Sequence, residues 1–115
     1  METNAYILDW TMNDFAGLKT SLSHDGFEFL KDDDKEHIRV GVEFDRLDDF
    51  AALIQRHLNA AFNYVDVQFS REKVTAVIFR DRLLRITNIE EDQKAKAWAV
   101  SIGLPKEQAD WLTSF

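Results

Sequence analysis

Residues able to do chemistry are plentiful in this chain, but few stand at spacings that chemistry requires. Asp32, Asp34 and Glu36 lie two apart, and Glu43 follows further on. That pattern imitates four ligand positions of a helix–loop–helix calcium loop. Such a loop needs a glycine at its sharp turn, and that place is held by His37. Residues 36–44 also alternate like a strand rather than a loop. The expectation is therefore a solvated acidic turn and not a calcium site.

The three histidines are His24, His37 and His57. They form no His-Glu-x-x-His pattern, and no two are at helical spacing, so no zinc or non-haem iron ligand set is visible. His37 beside Glu36 or Glu43 is the one arrangement that resembles an acid–base pair. The serines Ser21, Ser23, Ser70, Ser101 and Ser114 include none in a nucleophile elbow. No glycine-rich phosphate or dinucleotide loop occurs. With no cysteine, the chain has no disulfide, no thiol nucleophile and no thiolate metal site. No cofactor is expected. Carboxylate pairs need no local motif, so an enzyme using surface carboxylates and a histidine is the competing class.

Composition sets the frame for these residues. The chain has 115 residues, with 21 acidic and 14 basic, a net charge of −7. One domain is expected at this length, spanning residues 1–115. Hydrophobic residues make up 45% and aromatic residues 12%, enough to build a core and too many for a disordered chain. The first ten residues hold no Lys or Arg, which argues against a secretory signal. No apolar run approaches the length of a spanning helix. The expectation is a soluble, cytoplasmic protein with no membrane role.

The elements follow from periodicity and caps. Residues 5–10 read as a strand, and Thr11 as the cap of a helix carrying Phe15, Leu18 and Leu22. Residues 27–30 read as a short strand, 31–35 as a turn, and 36–44 as an alternating strand with Ile38, Val40, Val42 and Phe44 inward. Asp45 is the expected cap of a helix with Asp48 and Asp49 in its first turn. Leu47, Phe50, Ala51, Ile54, Leu58 and Ala61 are its apolar stripe.

Residues 64–69 alternate again, and 74–79 with 82–87 read as a hairpin around Arg80-Asp81. That pair lacks the Gly or Asn of a tight primed turn, which leaves room for a longer loop. Asn88 and Glu91 form a capping box for a helix lined by Ala95, Trp98, Ala99 and Ile102. Gly103 ends that helix, and Pro105 opens a last short one. The tail after it, with Trp111, Leu112 and Phe115, is apolar enough to dock on the body. Phe27, Phe29, Phe44, Phe50, Phe62, Phe69 and Phe79 all fit core positions. The architecture expected is α+β: a largely antiparallel sheet of five or six strands, with three to four helices mainly on one face.

Charge is uneven along the chain. Residues 25–49 hold ten acids and four bases, net −6; residues 71–85 hold five bases and two acids, net +3. The plainest reading is two solvated faces that neutralise each other within the fold. The functional reading is a protein-interaction domain of an accessory, inhibitory or immunity type. Its partner would be another protein or a second copy in a homodimer. The candidate contact residues are Asp32, Asp33, Asp34 and Glu36 in the acidic stretch, Arg80, Arg82 and Arg85 in the basic hairpin, and Trp111 and Phe115 in the tail. Nucleic-acid binding is disfavoured by the net charge. An acidic mimic of nucleic acid that blocks a basic partner is a further alternative.

Overall fold

The computed structural model describes residues 3–34 and 37–115, with the backbone alone for 31–34. Six strands form one antiparallel sheet: β1 (Asn4–Leu8), β2 (Glu28–Asp34), β3 (His37–Gly41), β4 (Tyr64–Phe69), β5 (Val74–Phe79) and β6 (Arg82–Ile86). Their spatial order is β2-β3-β1-β4-β5-β6. Three helices accompany them: α1 (Phe15–His24), α2 (Leu47–His57) and α3 (Ile89–Ser101). The chain is thus the α+β protein expected from its patterning.

Strand alternation sorts side chains onto two faces. Ala5, Ile7, Ile38, Val40, Val65, Val67, Ala76 and Ile78 point to one face, where they pack with Leu18, Leu22, Phe50 and Ile54 of α1 and α2. Val77, Phe79 and Ile86 point to the other, against Ala95 and Ala99 of α3, Leu104 and Trp111. Every residue of β5 is consequently buried. Two helices share one face as expected; the third covers the opposite face, but only over β5 and β6. Among the described residues, no helix packs extensively on the part of that second face formed by β3, β1 and β4.

Several local expectations are corrected. Thr11 does not cap α1: it is buried in a 3-10 turn, Asp9–Thr11, and its hydroxyl donates to the Leu8 carbonyl. The cap is Asp14, held at a left-handed φ of 51°, whose carboxylate accepts from the Gly17 amide at 3.1 Å. A Cβ on Gly17 would lie 2.1 Å from the Asp14 carboxylate, so a larger residue there would force the capping side chain to shift. Residues 31–34 are strand, not turn. They pair with β3 through two register irregularities and form an edge of the sheet. A row of acids on an edge strand is a known guard against edge-to-edge pairing.

Asp45 is not the cap of α2 either; it sits inside a 3-10 turn, Phe44–Arg46, that leads straight into the helix. Asp48 and Asp49 do occupy the first turn. The Arg80-Asp81 loop is tight, with Phe79 paired to Arg82. Asn88 caps α3 as expected, accepting from the Glu91 amide at 2.9 Å, while the Glu91 carboxylate reaches back to the Thr87 amide at 2.8 Å. Gly103 closes α3 at φ 115°, with its amide on Val100 and the Leu104 amide on Ala99, as a Schellman motif requires. Pro105 precedes a 3-10 turn, Lys106–Gln108, rather than opening an α-helix.

Candidate functional site

The tail does dock, and it shapes the uncovered half of the sheet. Trp111 is only 4% exposed, and its indole N–H donates to the Asp92 carboxylate at 2.7 Å. Asp92 also pairs with Lys96 at 2.9 Å, so this buried acid is satisfied from two sides. Phe79 meets Trp98 edge-on at 4.9 Å, and Tyr64 meets Trp111 edge-on at 5.3 Å. Beyond Trp111 the chain crosses β4 and β5, where Gln68 donates to the Leu112 carbonyl at 3.0 Å and Thr75 accepts from the Ser114 amide at 3.0 Å.

A second wall rises from the opposite side. The Asn13 amide donates to the His57 carbonyl, and the Asn59 amide to the Thr11 carbonyl. The Asn59 side chain donates to the Trp10 carbonyl at 2.9 Å, and the Asn63 side chain to the Asn59 amide oxygen at 2.6 Å. These bonds tie residues 10–13 to residues 57–63. Trp10 and Phe62 are left projecting from the tied segments, 63% and 37% exposed.

Between the two walls lies a cleft of about 310 Å³. Tyr6, Tyr64 and Asp66 line it from the sheet, Trp10 and Phe62 from one wall, and Gln108 and Asp110 from the other. Ala5 pairs with Val67, so the next step of that antiparallel register sets Tyr6 beside Asp66 on one face. Larger hollows exist, one of about 880 Å³ near Phe44, Arg71 and Glu72. The cleft is singled out because it joins exposed aromatic rings to a carboxylate, Asp66, whose pKa burial holds above its ordinary value.

Asp66 is half-buried, and burial pushes its carboxyl above the ordinary value; its hydrogen bond from Gln68 opposes this, and the Asp110 carboxylate adds to the rise. Burial likewise pushes the Tyr64 phenol up, helped by Asp66 and Asp110. The phenol is therefore a neutral donor, and it gives its proton to the Gln108 carbonyl at 2.9 Å. The Thr11 hydroxyl, also in the lining, is spent on the Leu8 carbonyl at 2.7 Å. The Tyr64 and Thr11 hydroxyls thus hold the walls of the cleft in place. A negative, partly dry, aromatic-rimmed concavity is suited to gripping a ligand.

The described residues among those singled out by sequence lie elsewhere and do not converge. The acidic stretch enters the β2 edge and the basic hairpin the β6 edge, at opposite sides of the sheet. Glu36 and the side chains of Asp32, Asp33 and Asp34 lie outside the described residues. Arg85 pairs with Asp48 of α2, Arg82 stacks on Trp98 at 4.6 Å, and Arg80 reaches Asp81 at 4.0 Å. The idea of mutual neutralisation within the fold is realised at Arg85–Asp48. Trp111 belongs to the core, which removes it from any contact surface; Phe115 stays partly exposed. His37 stacks on Tyr6 at 4.7 Å and does not line the cleft. No group of three metal-capable side chains occurs among the described residues.

Sequence reading missed Tyr6, Phe62, Asp66 and Asp110; Trp10, at an element end, reads as either core rim or interface anchor. Phe62, with Phe29 and Phe44, was expected in the core but is partly exposed. The usable signal was Asp66 on the polar side of a strand close to a tail too apolar to be free. No protein-family model matches the chain, and no curated protein or solved structure matches it either.

Proposed function

We propose that this chain is a small non-enzymatic protein-interaction domain, of the accessory, inhibitory or immunity type. It meets its partner through the half of the sheet face that α3 leaves uncovered. The observation that carries this reading is the grouping of Tyr6, Trp10 and Phe62, exposed 43%, 63% and 37%, around one cleft mouth. Large aromatics at a rim are the residues most enriched at interface hot spots, and exposed apolar patches of this kind mark contact sites.

The test is capture from a native extract on the wild-type chain and on a Trp10→Ala/Phe62→Ala variant. The reading expects a partner retained by the first and lost from the second. Equal retention on both contradicts it.

An enzyme is favoured by one observation alone, the raised Asp66 carboxyl beside Asp110 in a concavity. In that reading Asp66 is a general acid and the histidine has no part, since His37 lies outside the cleft. A metabolite that raises the melting temperature of wild type but not of Asp66→Asn, with no protein partner recovered, would establish it instead.

A further inference from the structure

We propose that the cleft receives an arginine side chain of the partner protein, stacked against Trp10 and Phe62 with its guanidinium on the carboxylates of Asp66 and Asp110. This rests on the interaction reading above and names what the partner must present. Among the described residues the lining holds two carboxylates and no Lys, Arg or His, while Arg39 sits over one lining ring, Tyr6, at 5.6 Å. Burial makes Asp66 harder to ionise, and the Asp110 carboxylate works in the same direction on it. A cation entering the cleft relieves both effects. The missing charge is therefore positive, and the groove is complementary to a group that carries it.

The chemical class of that cation follows from the rest of the lining. A hard metal ion wants several oxygen ligands, and the cleft supplies two acids set among rings. Aromatic rings with carboxylates are what an organic cation wants. This chain already makes such contacts three times with its own arginines: Arg39 over Tyr6 at 5.6 Å, Arg46 over Phe27 at 4.1 Å and Arg82 over Trp98 at 4.6 Å. Arginine is preferred to lysine because its guanidinium is planar, weakly hydrated and forked, so it stacks and bridges carboxylates at once. The source is a protein because the rings stand at the mouth, where they meet the flanks of a chain and not only the cation. The net charge of −7 further draws in a basic surface.

The test titrates the isotope-labelled protein with a blocked Gly-Arg-Gly peptide, followed by nuclear magnetic resonance at the Trp10 indole and the Asp66 carboxyl. Its citrulline counterpart has the same shape without the charge, and agmatine, which carries the guanidinium on a small molecule without a peptide backbone, is the small-cation control. The proposal expects saturable shifts at both signals with the arginine peptide, and at least about tenfold weaker binding of citrulline and of agmatine. Affinity should fall as Asp66 is protonated by lowering pH; the groups facing it are Tyr6 from β1, Tyr64 from β4 and Asp110 from the tail. Asp110→Asn and Trp10→Ala, both at exposed positions, should each weaken the peptide by about tenfold. They keep the test decisive if Asp66→Asn disturbs the fold.

Citrulline binding as tightly as arginine overturns the proposal. So do shifts confined to the acidic stretch at 25–49, and agmatine binding as tightly as the peptide, which would assign the cleft to a small guanidinium-bearing molecule rather than a protein. If a partner is captured through Trp10 and Phe62 yet ignores Asp66→Asn and Asp110→Asn, the arginine proposal falls and the interaction reading stands. If no captured protein depends on Trp10 and Phe62, the interaction reading falls as well.

Discussion

Asp66 is the residue at which stability and recognition pull apart. Its carboxyl holds a proton more tightly in the folded chain than at its ordinary value of 3.8. Folding therefore takes up a proton above that pH, and the linked stability falls as pH rises from 3.8 through the raised folded value. Asp66→Asn keeps the shape and the bond from Gln68 while removing the charge. The variant should be more stable than wild type at neutral pH, with the difference vanishing below 3.8. Denaturant melts of the two proteins across that range would show it; a less stable variant at neutral pH would mean that the charge is compensated within the fold. An acid kept at a stability cost in a cleft is what a binding residue looks like.

At the scale of elements, the start of α1 and the tail give the clearest expectations. Helix propensity alone predicts that Gly17→Ala gains about 1 kcal/mol. The Asp14 carboxylate occupies the space a Cβ needs, so the substitution should fail to stabilise wild type. In an Asp14→Ala background, where the cap worth about 1 kcal/mol is already lost, the same change should become stabilising. A double-mutant cycle by thermal melting reads this change of sign. Trp111→Ala should remove about 3–5 kcal/mol, a large share of the stability of a small domain. Loss of the near-ultraviolet dichroism of the Phe79–Trp98–Trp111 cluster at moderate denaturant would accompany it.

These elements also mark how far the sequence could be read. The alternation of 64–69 and the Asn88–Glu91 box announce their structures because the signals are local. The cap of α1 was misread because Asp14 and Gly17 act as a pair, and neither is informative alone. Residues 28–30 read as strand, but 31–34 read as a turn because a run of charged residues looks like one until β3 supplies their pairing.

Over the whole molecule, the charge asymmetry acquires a geometry. The acidic β2 and the basic β6 are the two outer strands, so charge-driven pairing of one copy's β2 with another's β6 is head-to-tail and does not close into a dimer. Such pairing would give masses that grow with concentration at low salt. The account instead expects light scattering to return the mass of one chain at both low and high salt. Arg85→Ala should change stability by no more than about 1 kcal/mol, since its pair with Asp48 is largely exposed. Candidate residues chosen by charge thus fell at opposite edges, while the cleft draws on β1, β4 and two segments far apart in the chain. Tyr6, Phe62, Asp66 and Asp110 become neighbours only through strand order and the path of the tail. Neither has a local signature.

The central claim is that the aromatic mouth of this cleft is where a protein partner sits. The most direct measurement places a photo-crosslinking amino acid at position 62 on the rim, and separately at position 89 on exposed α3. The account predicts one discrete protein adduct from position 62, reduced by Asp110→Asn, and none from position 89. The same adducts from both positions, or none from position 62, would contradict it.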